Sequence, residues 1–157
     1  MLLRRLATIG AVVGLAMGLA STSASAVPQR TQFENDADPA WTCMDFRADY
    51  GPYVYECNNS TYQQWYWNDD FEYTALRQKA TGLCLVSRDG QPTMKPCSAA
   101  DDAALWIFDG GLNASVGIMI RNSVSNKCLA RMANDRVNTT TCTGGPSQRW
   151  HIWYPAS

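Results

Sequence analysis

The chain has 157 residues, thirteen basic and fourteen acidic, with one histidine, six cysteines and a formal net charge of −1. This near-neutral balance, without a basic block or stripe, argues against nucleic acid and anionic membrane surfaces as partners. A metal site is not expected either: the nearest cysteines stand 13 residues apart, whereas paired zinc ligands usually fall about two to four apart.

In chain order, the first stretch reads as an export signal. Arg4 and Arg5 give a positive start, Leu6 to Ala20 is apolar and rich in Ala and Gly, and Ala24-Ser25-Ala26 offers a small-residue cleavage site. The apolar run is too short and Gly-rich for a membrane anchor. Residues 1–26 are therefore expected to be removed near Ala26. A secreted protein of 131 residues remains, with a formal charge of −3 because both arginines leave and every acid stays. The makeup of the signal is that of a bacterial one, so sequons such as Asn59-Ser60-Thr61 and Asn138-Thr139-Thr140 are expected to carry no glycan. The segment Val27 to Pro39 is polar and acidic. It is read as a flexible lead-in over 27–34, with Phe33 available to pair as a first strand, ahead of one domain over 35–157.

The rest of the chain repeats. Cysteines fall at 43 and 57, 84 and 97, 128 and 142; after each second cysteine a tryptophan follows, at Trp65, Trp106 and Trp150. The first-cysteine period is 41 and then 44 residues, and the tryptophans keep the same period. Leu76-Arg77-Gln78 and Ile120-Arg121-Asn122 stand at equal distances before their cysteines, and each tryptophan opens an alternating apolar stretch such as Trp106-Ile107-Phe108. Short alternation, many Tyr, Trp, Val and Thr, and turn clusters such as Asp89-Gly90 and Gly144-Gly145-Pro146 predict short strands and few helices. Six cysteines allow about fifteen pairings. The repeat favours Cys43–Cys57, Cys84–Cys97 and Cys128–Cys142, each closing a loop worth about 3 kcal/mol. A unit of this size cannot bury its apolar face alone, and three copies favour a closed all-β structure over an open array.

Gln63-Gln64-Trp65 and Gln148-Arg149-Trp150 are Q-x-W motifs, and Thr42-Cys43-Met44-Asp45, Gly82-Leu83-Cys84-Leu85 and Asn126-Lys127-Cys128-Leu129 are similar to G-x-C-L-D repeat starts. With three cysteine pairs in register, over about residues 35–154, the chain resembles the ricin B-type lectins. The resemblance implies a β-trefoil of three repeats of about 41–44 residues. Trp65, Trp106, Trp150 and Gln148 are assigned to its architecture: the rings to a shared core, the amide to backbone groups.

Sugar binding in this family rests on other positions: an aspartate two residues after the first cysteine, a ring near the second, and amides around the Q-x-W. The first repeat offers Asp45, Tyr55, Asn59 and Gln63, with Tyr62 where the family has an amide. The second has Val86, Lys95 and Ala104 at the corresponding places; the third has Ala130, Thr140 and Ser147. The resemblance thus implies a secreted, non-enzymatic glycan-binding protein without cofactor or metal, holding at most one weak sugar site, in the first repeat. His151 alternates with Trp150 and reads as a surface residue rather than a catalytic base. The alternative is a trefoil that binds another secreted protein, such as a protease inhibitor or a toxin-associated subunit, through protruding loops such as Arg88-Asp89-Gly90-Gln91-Pro92. An exposed aromatic patch away from Asp45 would favour that alternative.

Overall fold

The structure, a computed structural model, describes residues 29–37, 41–68, 72–110 and 115–155. The expected export signal, residues 1–26, lies outside them. Among the described residues thirteen short strands follow in order. The first repeat holds β1 (Gln29–Asn35), β2 (Thr42–Arg47), β3 (Gly51–Glu56) and β4 (Trp65–Trp67). The second holds β5 (Thr74–Ala75), β6 (Arg77–Gln78), β7 (Cys84–Val86), β8 (Thr93–Lys95) and β9 (Leu105–Asp109); the third holds β10 (Met119–Asn122), β11 (Cys128–Arg131), β12 (Val137–Thr140) and β13 (Trp150–Trp153). In each repeat the strand starting at or just before the first cysteine pairs antiparallel with its successor, and the disulfide links the hairpin to the loop that follows it. The three disulfides join Cys43 to Cys57, Cys84 to Cys97 and Cys128 to Cys142, with Cα–Cα distances of 5.0, 5.0 and 5.1 Å.

The core is threefold. Trp65, Trp106 and Trp150 are wholly buried, packed with Phe33, Met44, Leu76, Leu85, Ile120 and Leu129. A buried indole still carries an N–H that needs a partner. Each ring meets this need in the same way, donating to the carbonyl of the residue after its repeat's first cysteine: Trp65 to Met44 at 3.1 Å, Trp106 to Leu85 at 2.9 Å, Trp150 to Leu129 at 3.1 Å.

Closure comes from β1, β6 and β10, the opening strands that lead into each repeat's first cysteine. Asn35 lies opposite Trp150, Gln78 opposite Trp65 and Asn122 opposite Trp106, so every opening strand pairs with the tryptophan strand before it in the ring. The three amides reach back to the carbonyl three residues before those tryptophans: Asn35 to Ser147 at 3.0 Å, Gln78 to Tyr62 at 2.5 Å, Asn122 to Ala103 at 2.9 Å. This corrects the expected boundary. Residues 29–34 are not a flexible lead-in but part of β1, and Phe33 is a wholly buried core residue. Phe33-Glu34-Asn35 is the first-repeat version of Leu76-Arg77-Gln78. It stands ten residues before its cysteine rather than eight, a shift that breaks the register in the sequence.

Candidate functional site

The β2–β3 hairpin places Asp45 opposite Tyr53 and Cys43 opposite Tyr55. Because side chains alternate along a strand and paired residues share a face, all four project from one side of the hairpin, while Met44 and Phe46 turn to the core. Asp45 is 4% exposed. Its carboxylate accepts the Phe46 backbone N–H at 2.6 Å and a hydrogen bond from the Gln63 side chain. Burial raises the Asp45 carboxyl above its usual 3.8; those two hydrogen bonds and the Arg47 charge oppose the rise. Gln63 is itself fully buried, with its Nε2 donating to Glu56 O at 2.9 Å and its Oε1 accepting the Asn58 N–H at 2.9 Å and the Gln32 amide at 3.2 Å. One amide thus braces the backbone on both sides of Cys57 and steadies the acceptor.

Over this carboxylate stands a ladder of tyrosines. Tyr55 is 54% exposed, with its ring 6.4 Å from that of Tyr53, and Tyr53 meets Tyr50 edge-on at 5.3 Å. Arg136 of the third repeat lies over Tyr50 at 3.6 Å. Burial, then the nearby Asp45 charge, raises the Tyr53 hydroxyl above its usual value. The arrangement joins a fixed acceptor to an exposed ring, which suits a ligand with both hydroxyls and an apolar face. Tyr53 belongs beside the expected residues; its alternation with Tyr55 on a strand facing Asp45 was the signal. Asn59 does not join them. It sits in left-handed backbone (φ 57°) and lines a neighbouring concavity next to the disulfide.

The other two repeats fill the same positions differently. In the second, Val86 stands for Asp45 and Ala104 for Gln63. Val86, Ala103 and Ala104 are buried together as a small apolar cluster. The backbone there is organised instead by Asp101, which accepts the Ala103 N–H at 3.1 Å and pairs with Arg88 at 2.8 Å. In the third, Ala130 replaces the aspartate, but Gln148 keeps its bracing bonds, donating to Thr141 O at 2.8 Å and accepting the Thr143 N–H at 2.7 Å. The amide hydrogen that meets the carboxylate in the first repeat has a hydroxyl to meet here, Thr140 Oγ1 at 2.7 Å.

Two further expectations meet the structure. His151 faces outward and approaches Asp36 at 3.3 Å, on the surface side of β13. The Arg88–Pro92 loop exposes Arg88, Asp89 and Gln91 but buries Gly90 and Pro92, and the Gly90 carbonyl accepts both the N–H and the hydroxyl of Thr139 in the third repeat. A carbonyl with two donors from a neighbouring strand ties the loop down.

A family model described as the ricin-type β-trefoil lectin domain matches residues 29–150. No curated protein sequence matches the chain. Among solved structures, the C-half of an earthworm R-type lectin in complex with GalNAc is 15% identical, with 82% of this chain and 100% of that one covered and a TM-score of 0.62. SeviL bound to asialo-GM1 saccharide is 12% identical, covers 83% and 100%, and scores 0.65. A chain of the cytolethal distending toxin from Actinobacillus actinomycetemcomitans is 13% identical, covers 82% and 93%, and scores 0.67. At these identities the likeness is one of fold.

Proposed function

The chain belongs to the ricin-type β-trefoil lectin domain family, and on that premise we propose that it is an exported, non-enzymatic saccharide-binding protein with one working repeat pocket, the first. The observation that carries this reading is the Asp45–Gln63 pair: an acceptor held by a wholly buried amide, beside an exposed Tyr55, in the first repeat alone. Asp45 accepts sugar hydroxyls, Tyr55 supplies the stacking face, and Gln63 positions Asp45. A pocket with one ring and few hydrogen bonds binds weakly, because each hydroxyl must give up water first. Useful avidity then depends on presenting several sites at once.

Glycan-array binding of the exported form tests this reading, with the asialo-GM1 saccharide and GalNAc first, since those are held by the similar structures. Asp45→Ala, which copies the third repeat, is expected to lose the pocket's ligand by tenfold or more. If none of the glycans bound by the exported form lost affinity in Asp45→Ala, the assignment would be refuted. One observation favours the protein-binding alternative, a protease inhibitor or toxin-associated subunit: Trp41, Trp153 and Tyr154 form an exposed aromatic patch outside the Asp45 pocket. Inhibition of a serine protease by the purified protein would support it.

A further inference from the structure

We propose that the seam where the trefoil closes is a second saccharide site, built on Trp41 and Trp153 and independent of Asp45. Here β13 meets β1, and β1 meets β2. Gln32 lies opposite Trp153, and Glu34 lies opposite both His151 and Cys43, so these side chains rise from one face. Trp41 is 59% exposed, Trp153 48% and Tyr154 59%. The indole rings of Trp41 and Trp153 stand 5.9 Å apart at a tilt of 36°. With Tyr154, Glu34 and Asn59 they line a concavity of about 260 Å³ beside the Cys43–Cys57 disulfide.

The three repeats provide an internal control. Two residues before each first cysteine the backbone is left-handed: Gly82 at φ 68°, Asn126 at φ 54° and Trp41 at φ 57°. Glycine and asparagine adopt this conformation readily, whereas a bulky aromatic does so at a cost. Three residues after each Q-x-W tryptophan stand Asn68, Asp109 and Trp153. Opposite the first cysteine stand Arg77, Arg121 and Glu34. At the third repeat's seam the polar residues close on each other, Arg121 bonding Asp109 at 2.6 Å and Asn126 at 3.1 Å. The fold therefore needs neither tryptophan. Only the closing seam carries both, one of them in a strained backbone, and strain kept at an exposed position points to function.

The chemistry selects the occupant. The Trp153 indole N–H donates to Glu34 Oε2, and Glu34 lines the same concavity as the two indoles. A purely apolar partner would bury that carboxylate with the indole N–H as its one donor among the described residues, too few for a charged group, which is costly. A pyranose brings what the seam lacks: hydroxyls for Glu34 and Asn59, and a C–H face for the indoles. The volume suits a single sugar ring.

The test uses substitutions borrowed from the other repeats, so that folding is preserved. In an Asp45→Ala background, the exported form is titrated on an array of mono- and oligosaccharides that includes GalNAc, galactose, GlcNAc, mannose and glucose. Binding is expected to persist and to change little between low and high salt. Adding Trp41→Gly (as in the second repeat) or Trp153→Asn should then weaken it at least tenfold, with Tm unchanged or, for Trp41→Gly, higher. Absence of any saccharide binding by the Asp45→Ala protein would overturn the proposal, as would binding that survives both substitutions. Steep loss of binding with salt would also overturn it, because these neutral sugars carry no charge for salt to screen. Because Asp45 is already removed, failure here is distinct from failure of the first-repeat pocket.

Discussion

The first and second repeats share a backbone plan, a disulfide and a buried tryptophan, yet at one pair of positions they are opposites. The first carries Asp45 against Gln63; the second carries Val86 against Ala104, packed into an apolar cluster. Each pair is self-consistent. A carboxylate needs its amide, and an apolar side chain needs an apolar neighbour, because a buried polar group without a partner costs more than either arrangement gains. The hairpin therefore accommodates either pair, provided both members change together. The third repeat sits between them: it has lost the acid but kept Gln148 for its backbone bonds.

Four experiments would break or sharpen this contrast. The largest effect falls where the repeats do not differ: Trp65→Ala and Trp106→Ala should each cost about 3–5 kcal/mol in urea unfolding, regardless of which repeat holds a pocket. Val86→Asp places a lone carboxylate in the apolar cluster and should cost about 3 kcal/mol; adding Ala104→Gln should recover part of it. Gln63→Ala leaves Asp45 and the Asn58 N–H without their partner and should cost about 2 kcal/mol. The double change Asp45→Val with Gln63→Ala, which copies the second repeat, should cost less than the sum by about 1 kcal/mol in a thermodynamic cycle. The smallest effect is on pH. Asp45 titrates above its usual 3.8 because it is buried, so its protonated form favours folding. That contribution is complete below 3.8 and fades as pH rises through the raised value. Binding runs the other way, weakening as pH falls through the same range because the acceptor is lost. A pH series of affinity and of stability should show both trends, and Asp45→Asn should flatten them.

The framework was legible because its markers are spaced covalently and chemically: cysteines at 13 or 14 residues and a tryptophan at a set distance beyond show through any amount of drift between copies. β1 was legible only at Phe33, since two extra residues before Cys43 shift Phe33-Glu34-Asn35 out of register and hide its kinship with the other repeats. The closing amides also hide well. Asn35, Gln78 and Asn122 do one job with two side-chain lengths, and their partners are backbone carbonyls with no sequence signature. At the pocket, the alignment of Asp45 with Val86 and Ala130 reads directly from the cysteine offsets. That Val86 and Ala104 fill one another's space does not, because contact between residues 18 apart depends on how the hairpin folds over its loop. Trp41 and Trp153 lie still farther apart, and only closure of the ring brings them together.

That closure also sets a time at which the seam comes into being. Gln32 must find Trp153, and Asn35 must find Trp150, across almost the whole length of the folded chain. Such distant pairings raise contact order and form late, after the local hairpins. The first and last strands are thus a clasp that shuts last. A surface assembled from the first strand and the last one reports that everything between them has been completed.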